Sequence, residues 1–207
     1  INYALPLIHR INPEIVILDD GMQNPVLPKN LQILAIDSLK GIGNNRIFPA
    51  GPLRESLKSG LAKSDLIFII GNNQSRDFNL INSITLSQKP YFTPTIKLKE
   101  NLDKNMEYIA FAGLGNPEKF YSLLLENNLK VKQYISFGDH HHYSEEEIKK
   151  LLELARLNKA SLITTEKDYV KLTNNYKELI ICARVGLEFE NEQKSIDLIY
   201  EKLFQEN

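Results

Sequence analysis

Glu14-Ile-Val-Ile-Leu-Asp-Asp-Gly-Met-Gln-Asn24 passes from an apolar run straight into two acids. Ile15 to Leu18 are consecutive branched apolar residues with no polar face, the pattern of a strand covered on both sides in a parallel sheet. Asp19 and Asp20 follow at once, and Gly21 permits a sharp exit. The carboxyl ends of strands border the ligand crevice of an open parallel sheet, so both carboxylates are expected to face whatever binds there. Adjacent like charges need compensation, and Mg²⁺ on a nucleotide phosphate is one solution. The plainer alternative is a strand closed by an Asp-Gly turn.

The surrounding chain sets limits on that reading. With 207 residues, 43% of them hydrophobic, it has ample material for one large domain or two small ones. Twenty-five basic and 26 acidic residues leave a formal net charge of −1, so no global field draws in nucleic acid. The single cysteine, Cys182, sits in an apolar run and reads as a reduced core thiol, which suggests a cytoplasmic setting. No apolar run approaches the length needed to cross a bilayer, so any membrane contact is expected to be peripheral. Residue 1 is Ile and the first ten residues read as the middle of an element, so a fragment of a longer protein is expected.

Further apolar runs repeat the strand signal. Leu31 to Ile36 and Asp65 to Ile70 flank a short helix expected over Ser56 to Ser64, which is the strand, helix, strand rhythm of a parallel α/β fold. Asn72 to Asp77 reads as polar loop, and Leu80 to Leu86 and Tyr91 to Leu98 as shorter, more exposed strands. The charged stretch Lys97 to Asn105 marks the boundary between a domain over residues 1–100 and a smaller α/β domain over 101–207. In the second half, Tyr108 to Gly113 reads as a strand leading to a helix with Asn116 at the N-cap and Pro117 at its first position. Val131 to Phe137 is a further strand. The capping box Ser144-x-x-Glu147 opens a helix, and Thr165 caps another after a strand from Ala160. Leu179 to Val185 is the last expected strand, before a closing helix over Ser195 to Phe204.

Several segments carry candidate chemistry. Lys40 to Glu55 is a long irregular connection with Lys40, Arg46 and Arg54, cations suited to phosphate, and long loops of this kind commonly serve a site. His140, His141 and His142 cannot all reach one metal ion from adjacent positions, so zinc is not expected. Asp139 beside His140 is more telling, since a carboxylate can orient an imidazole for proton transfer.

Taken in order, Asp19-Asp-Gly-Met-Gln23, Arg46-x-x-Pro-Ala-Gly-Pro-Leu-Arg-Glu55, Phe111-Ala-Gly-Leu-Gly-Asn-Pro-Glu-Lys-Phe120, Asp139-His140 and Thr164-Thr-Glu-Lys-Asp168 resemble the tetraacyldisaccharide 4′-kinase family over nearly the whole chain. The resemblance implies a P-loop-kinase-type parallel sheet domain joined by linker strands to a smaller α/β domain. It implies ATP as phosphate donor with Mg²⁺, a lipid A disaccharide precursor as acceptor, and peripheral work on the cytoplasmic face of the bacterial inner membrane. Asp19 and Asp20 then resemble the Walker B acids that hold Mg²⁺. Arg54, Asp20 and Gln23 resemble nucleotide-side contacts, and His140 with Asp139 the pair that activates the sugar hydroxyl.

The departures are specific. The family's Gly-Lys-Thr phosphate loop and membrane-associating helix lie upstream of the acid pair, and Asn24 stands where most relatives carry His. The chain therefore reads as the C-terminal two-thirds of such a kinase, inactive alone. The alternatives are a non-catalytic remnant, a half-enzyme completed by a separate P-loop polypeptide, and a nucleotide-binding protein unrelated to lipid A.

Overall fold

A computed structural model describes residues 4–71 and 78–204; the expected polar loop over 72–77 lies outside the described residues. The chain divides into two compact units, one comprising the residues up to Thr93 and those from Asn191 onward, the other Pro94–Glu190. The sequence reading has one boundary near residue 100 and keeps the closing helix with the second half. A return of the chain to its first unit leaves no mark in composition.

In the first unit, helix α1 (Ala4–Ile11) precedes strand β1 (Ile33–Asp37), helix α2 (Leu57–Lys63), strand β2 (Leu66–Ile70), helix α3 (Phe78–Leu86) and strand β3 (Tyr91–Phe92). The three strands are parallel in the order β1-β2-β3, as the strand-helix rhythm predicts. Ser56 caps α2 by accepting the Ser59 N–H, and Leu61 on the next turn is buried with Ile36, Ile67, Ile69, Leu80 and Ile84.

Two expectations in this unit are overturned. Ile15 to Leu18 form no strand, and Ile15, Val16 and Ile17 are 55, 45 and 89% exposed. A strand needs a neighbour to satisfy its backbone groups, and β1 pairs with β2 alone among the described residues. Leu80 to Leu86 is helix and not strand. Leu80 and Ile84, one turn apart, are buried on its inner face, while the Ser83 and Thr85 hydroxyls donate back to the Asn79 and Ile81 carbonyls.

The second unit begins with strand β4 (Thr95–Leu98), which Thr93 and Pro94 separate from β3 where the sequence suggests one continuous strand. Then come β5 (Glu107–Ala112), α4 (Glu118–Glu126), β6 (Lys130–Ser136), α5 (Glu145–Leu157), β7 (Ser161–Thr165), α6 (Glu166–Tyr169), α7 (Asn174–Lys177) and β8 (Ile180–Ala183). Strand β9 (Val185–Glu188), unforeseen, turns back to pair antiparallel with β4. The parallel sheet has the order β6-β5-β7-β8. Helix α4 starts with Pro117 at the cap position, one residue after the expected Asn116.

Strict alternation along β5 builds two cores. Tyr108, Ala110 and Ala112 pack with Phe120 and Leu124 of α4. Ile109 and Phe111 pack on the other side with Ile148, Leu151 and Ala155 of α5. A fully buried ring such as Phe111 contributes about 3–5 kcal/mol against truncation to Ala. Because the chain goes from β5 to β6 on one side and then crosses to β7 on the other, the carboxyl ends of β5 and β7 flank a topological switch point. Helix α8 (Glu192–Phe204) closes the first unit; Ser195 is buried, whereas Ile196, Tyr200 and Phe204 of its apolar stripe stay about half exposed or more. No helix among the described residues is long and apolar enough to cross a membrane.

Candidate functional site

The acid pair sits on a turn. Asp20 takes a left-handed φ of 52°, and Gly21 approaches Leu18 so closely that an added Cβ would lie 2.5 Å from the Leu18 Cβ. Both acids are exposed. The Asp20 carboxylate meets the Arg54 guanidinium at 2.6 Å, and Gln23 donates to Glu55 at 3.2 Å. Two of the family's motifs are thus joined side by side. Glu55 also accepts from Ser59 and Lys63; these hydrogen bonds, with Lys63 foremost, hold its carboxyl below the ordinary carboxylate range. Asn24 accepts the Val26 N–H through its side chain and receives Lys29 on its carbonyl, so it builds a turn.

Arg54 reaches Asp20 because the loop that carries it is tied internally. The Phe48 N–H donates to the Leu53 carbonyl at 2.7 Å, the Leu53 N–H donates to the Arg46 carbonyl, and the Asn44 amide donates to the Ala50 carbonyl at 2.8 Å. The Phe48-Pro49 peptide is cis. Ser56, the cap of α2, follows directly, so Arg54 and Glu55 leave from a fixed helix start. Lys40 and Arg46 are exposed.

In the second unit, the loop after β6 delivers Asp139 and His140. His140 takes φ 58° and donates its backbone N–H to Asp139 Oδ1 at 3.0 Å, while its ring Nε2 lies 3.9 Å from Asp139 Oδ2. Lys167 Nζ stands 4.0 Å from Asp139 Oδ1. The carboxylate rests against the glycine turn after β5, where a Cβ on Gly115 would come within 3.1 Å of it. Asp139 therefore lies between an imidazole and an ammonium at the carboxyl ends of β5, β6 and β7.

Beneath these groups is a residue the sequence reading quotes without a role. Asp168 is fully buried; it accepts from the Gly113 N–H at 3.0 Å, Thr165 Oγ1 at 2.8 Å and Lys171 Nζ at 2.9 Å. Burial alone would raise its carboxyl, and Lys171, Gly113 and Thr165 together reverse that and hold it below the ordinary value. Burial first, then the charge of Asp168, pushes the Tyr134 phenol up to about 12 and raises Tyr143 as well. The Tyr143 hydroxyl is buried next to Asp168 and Gly113 without a well-formed hydrogen bond to either. The available signal for Asp168 is spacing: Thr165-x-x-Asp168 places an acid in the first helical turn just as Ser144-x-x-Glu147 does.

The profile of Tetraacyldisaccharide-1-P 4′-kinase matches residues 2–203. The chain belongs to that family. It is 38% identical to the tetraacyldisaccharide 4′-kinase of Rickettsia bellii over all of its own length and 62% of that protein. It is 36% identical to the Rickettsia akari kinase, over 99% of this chain and 61% of that one. The chain thus spans about three-fifths of the curated kinases it matches. A crystal structure of LpxK from Aquifex aeolicus in complex with ATP superimposes with a TM-score of 0.68 at 29% identity, covering 97% of this chain and 61% of that one. Membership of the tetraacyldisaccharide 4′-kinase family agrees with the α/β, P-loop-kinase-type fold expected from the motifs.

Proposed function

We propose that this chain carries the acidic, arginine and histidine parts of a lipid A 4′-kinase, which transfers the γ-phosphoryl group of ATP to the 4′-hydroxyl of tetraacyldisaccharide 1-phosphate to give lipid IVA. The observation that supports it best is the meeting of Asp20 with Arg54, two residues from separate family motifs, at 2.6 Å. Mg²⁺ takes one or two carboxylates together with water and substrate phosphate, and the exposed Asp19 and Asp20 are such a donor set. Held by Asp19 and Asp20, such an ion would supply positive charge against the phosphate groups. Arg54 neutralises Asp20, and its planar fork suits phosphate oxygens. Gln23 belongs to the same wall through Glu55.

His140 acts as the proton acceptor. Its ring takes the proton of the sugar hydroxyl as the oxygen attacks the γ-phosphorus and the bond to ADP breaks. Asp139, 3.9 Å away, meets the positive charge that the imidazole gains in that step. The acceptor lipid places the work at the cytoplasmic face of the inner membrane, by peripheral contact.

A second reading is favoured by one feature. The 207 residues contain no Gly-Lys-Ser or Gly-Lys-Thr, and in this second reading the phosphate loop comes from a separate polypeptide that completes a half-enzyme. Both readings are tested by fusing the upstream P-loop segment of the Rickettsia bellii kinase to this chain and following phosphate transfer to the disaccharide. The fusion is expected to be active and the 207-residue chain nearly inactive. His140→Ala in the fusion should lower kcat roughly 10²–10⁴-fold. A folded, ATP-binding fusion without transfer refutes the kinase reading; activity on mixing the two pieces unfused favours the half-enzyme.

A further inference from the structure

Three histidines stand in a row, and only one of them is built into the protein. His140 and His142 are exposed, whereas the His141 side chain is 28% exposed. The His141 ring stacks on Phe137 with centroids 4.7 Å apart and meets the edge of Tyr143 at 5.0 Å. Its Nε2 lies 3.1 Å from Glu147 Oε1. Phe137 and Tyr143 in turn pack edge-on against Phe111, the fully buried ring in the middle of the sheet. Each contact is of a type with a preferred geometry, so together they fix the ring in position and orientation.

Glu147 is itself held. Its Oε2 accepts the Ser144 N–H at 2.8 Å and the Ser144 hydroxyl at 2.9 Å, the capping box that starts α5. The backbone of His141 closes the turn from the other side by donating to the Gly138 carbonyl at 3.1 Å. Asp139 and His140 are the two residues enclosed by that bond. A non-glycine residue persists at positive φ only where its surroundings over-determine it, and the residue next to His140 is the best-anchored of this loop.

We propose that His141 is a positioning residue: clamped by Phe137, Tyr143 and Glu147, it sets the backbone of Asp139 and His140 so that the His140 imidazole points outward as proton acceptor. This rests on the role given to His140 above and adds which residue makes that role available.

The test is ¹⁵N relaxation on the 207-residue chain without nucleotide or lipid. In the wild type the Asp139 and His140 amides should be as ordered as the strand amides of β5, with order parameters near about 0.85. His141→Ala should drop those two to below about 0.6 while β5 is unchanged, and His142→Ala should leave all of them unchanged. If His141→Ala does not fold, His141→Phe decides; it keeps the stacking, loses the Glu147 bond and should show a smaller drop at the same two amides. A folded His141→Ala with Asp139 and His140 still rigid overturns the proposal, as does an undiminished His141→Phe where Ala cannot be measured. Because the measurement needs no phosphate transfer, a rigid loop rejects the clamp and leaves the kinase reading standing, whereas an inactive fusion does the reverse.

Discussion

Replacing Asp168 by Ala removes the acceptor of three donors at once. The Gly113 N–H, the Thr165 hydroxyl and the Lys171 ammonium all lose their partner, and the carboxylate they share is fully buried. Breaking one side of a buried ion pair costs about 3–5 kcal/mol, chiefly from the charge left behind. Lys171 retains 16% side-chain exposure and can lift its ammonium toward water, so the lower half of that range, about 3–4 kcal/mol, is expected. Lys171→Met strands the carboxylate instead. The double variant strands neither charge, so it should be less destabilised than the sum of the singles by about 1–3 kcal/mol. Two units need not unfold together, so the assay is native-state hydrogen exchange at the central amides of β5, which reports on the second unit alone. A loss below about 1 kcal/mol in Asp168→Ala, or strict additivity in the double variant, refutes the reasoning. The pH dependence has a definite sign. The folded carboxyl titrates below its ordinary value of 3.8, so the folded state binds fewer protons than the unfolded chain. The stabilisation is therefore complete above the unfolded pKa and is lost as pH falls through the folded one. The gap between wild type and Asp168→Ala should hold from neutral pH to about pH 5 and narrow below it.

Tyr143→Phe deletes a buried hydroxyl that lies against Asp168 and Gly113 without a well-formed hydrogen bond, so stability in the same exchange assay should change by less than about 1 kcal/mol. A clear loss would mean that the hydroxyl has a partner in solution. Arg54→Ala removes a contact between side chains that are 62% and 61% exposed, so denaturant stability should change by no more than about 1 kcal/mol. Phosphate transfer by the fused kinase should nevertheless fall at least about tenfold, the effect of losing one charge-assisted phosphate contact. Unchanged transfer would remove Arg54 from the site. Ile17→Lys interrupts the exposed run Ile15 to Ile17 and should reduce self-association in sedimentation while shifting stability by less than about 0.5 kcal/mol. A larger loss would show that Ile17 is buried in solution.

Sequence periodicity reports burial and is blind to neighbours. Ile33 to Asp37, Leu66 to Ile70 and the strands β5, β7 and β8 of the second unit are legible because each is a largely apolar run that finds a partner in the same chain, and β6, Lys130–Ser136, shows through Val131, Tyr134 and Ile135. Ile15 to Leu18 carries the same signal and makes no strand, since no described strand pairs with it. Leu80, Ile81, Ile84 and Leu86 fit alternation and helical spacing about equally; packing of Leu80 and Ile84 against the sheet decides for the helix. Caps did better, because Ser144 with Glu147 and Thr165 with Asp168 act within one turn. Of the site, the residue types of Asp19, Asp20, Arg54, Asp139 and His140 were readable through the family motifs, and the contact of Asp20 with Arg54 was not. The bond from Gly113 to Asp168 joins positions 55 residues apart, a distance at which local pattern is silent.

That same bond bears on where phosphate chemistry can be housed. In parallel α/β sheets the glycine turn at the switch point commonly offers its amides to a phosphate from outside. Here the Gly113 amide already faces an anion supplied by the protein itself, with Lys171 as resident counter-ion. A phosphate brought to this turn would find the Gly113 amide already taken, so the turn serves to hold Asp168 in the core of the second unit.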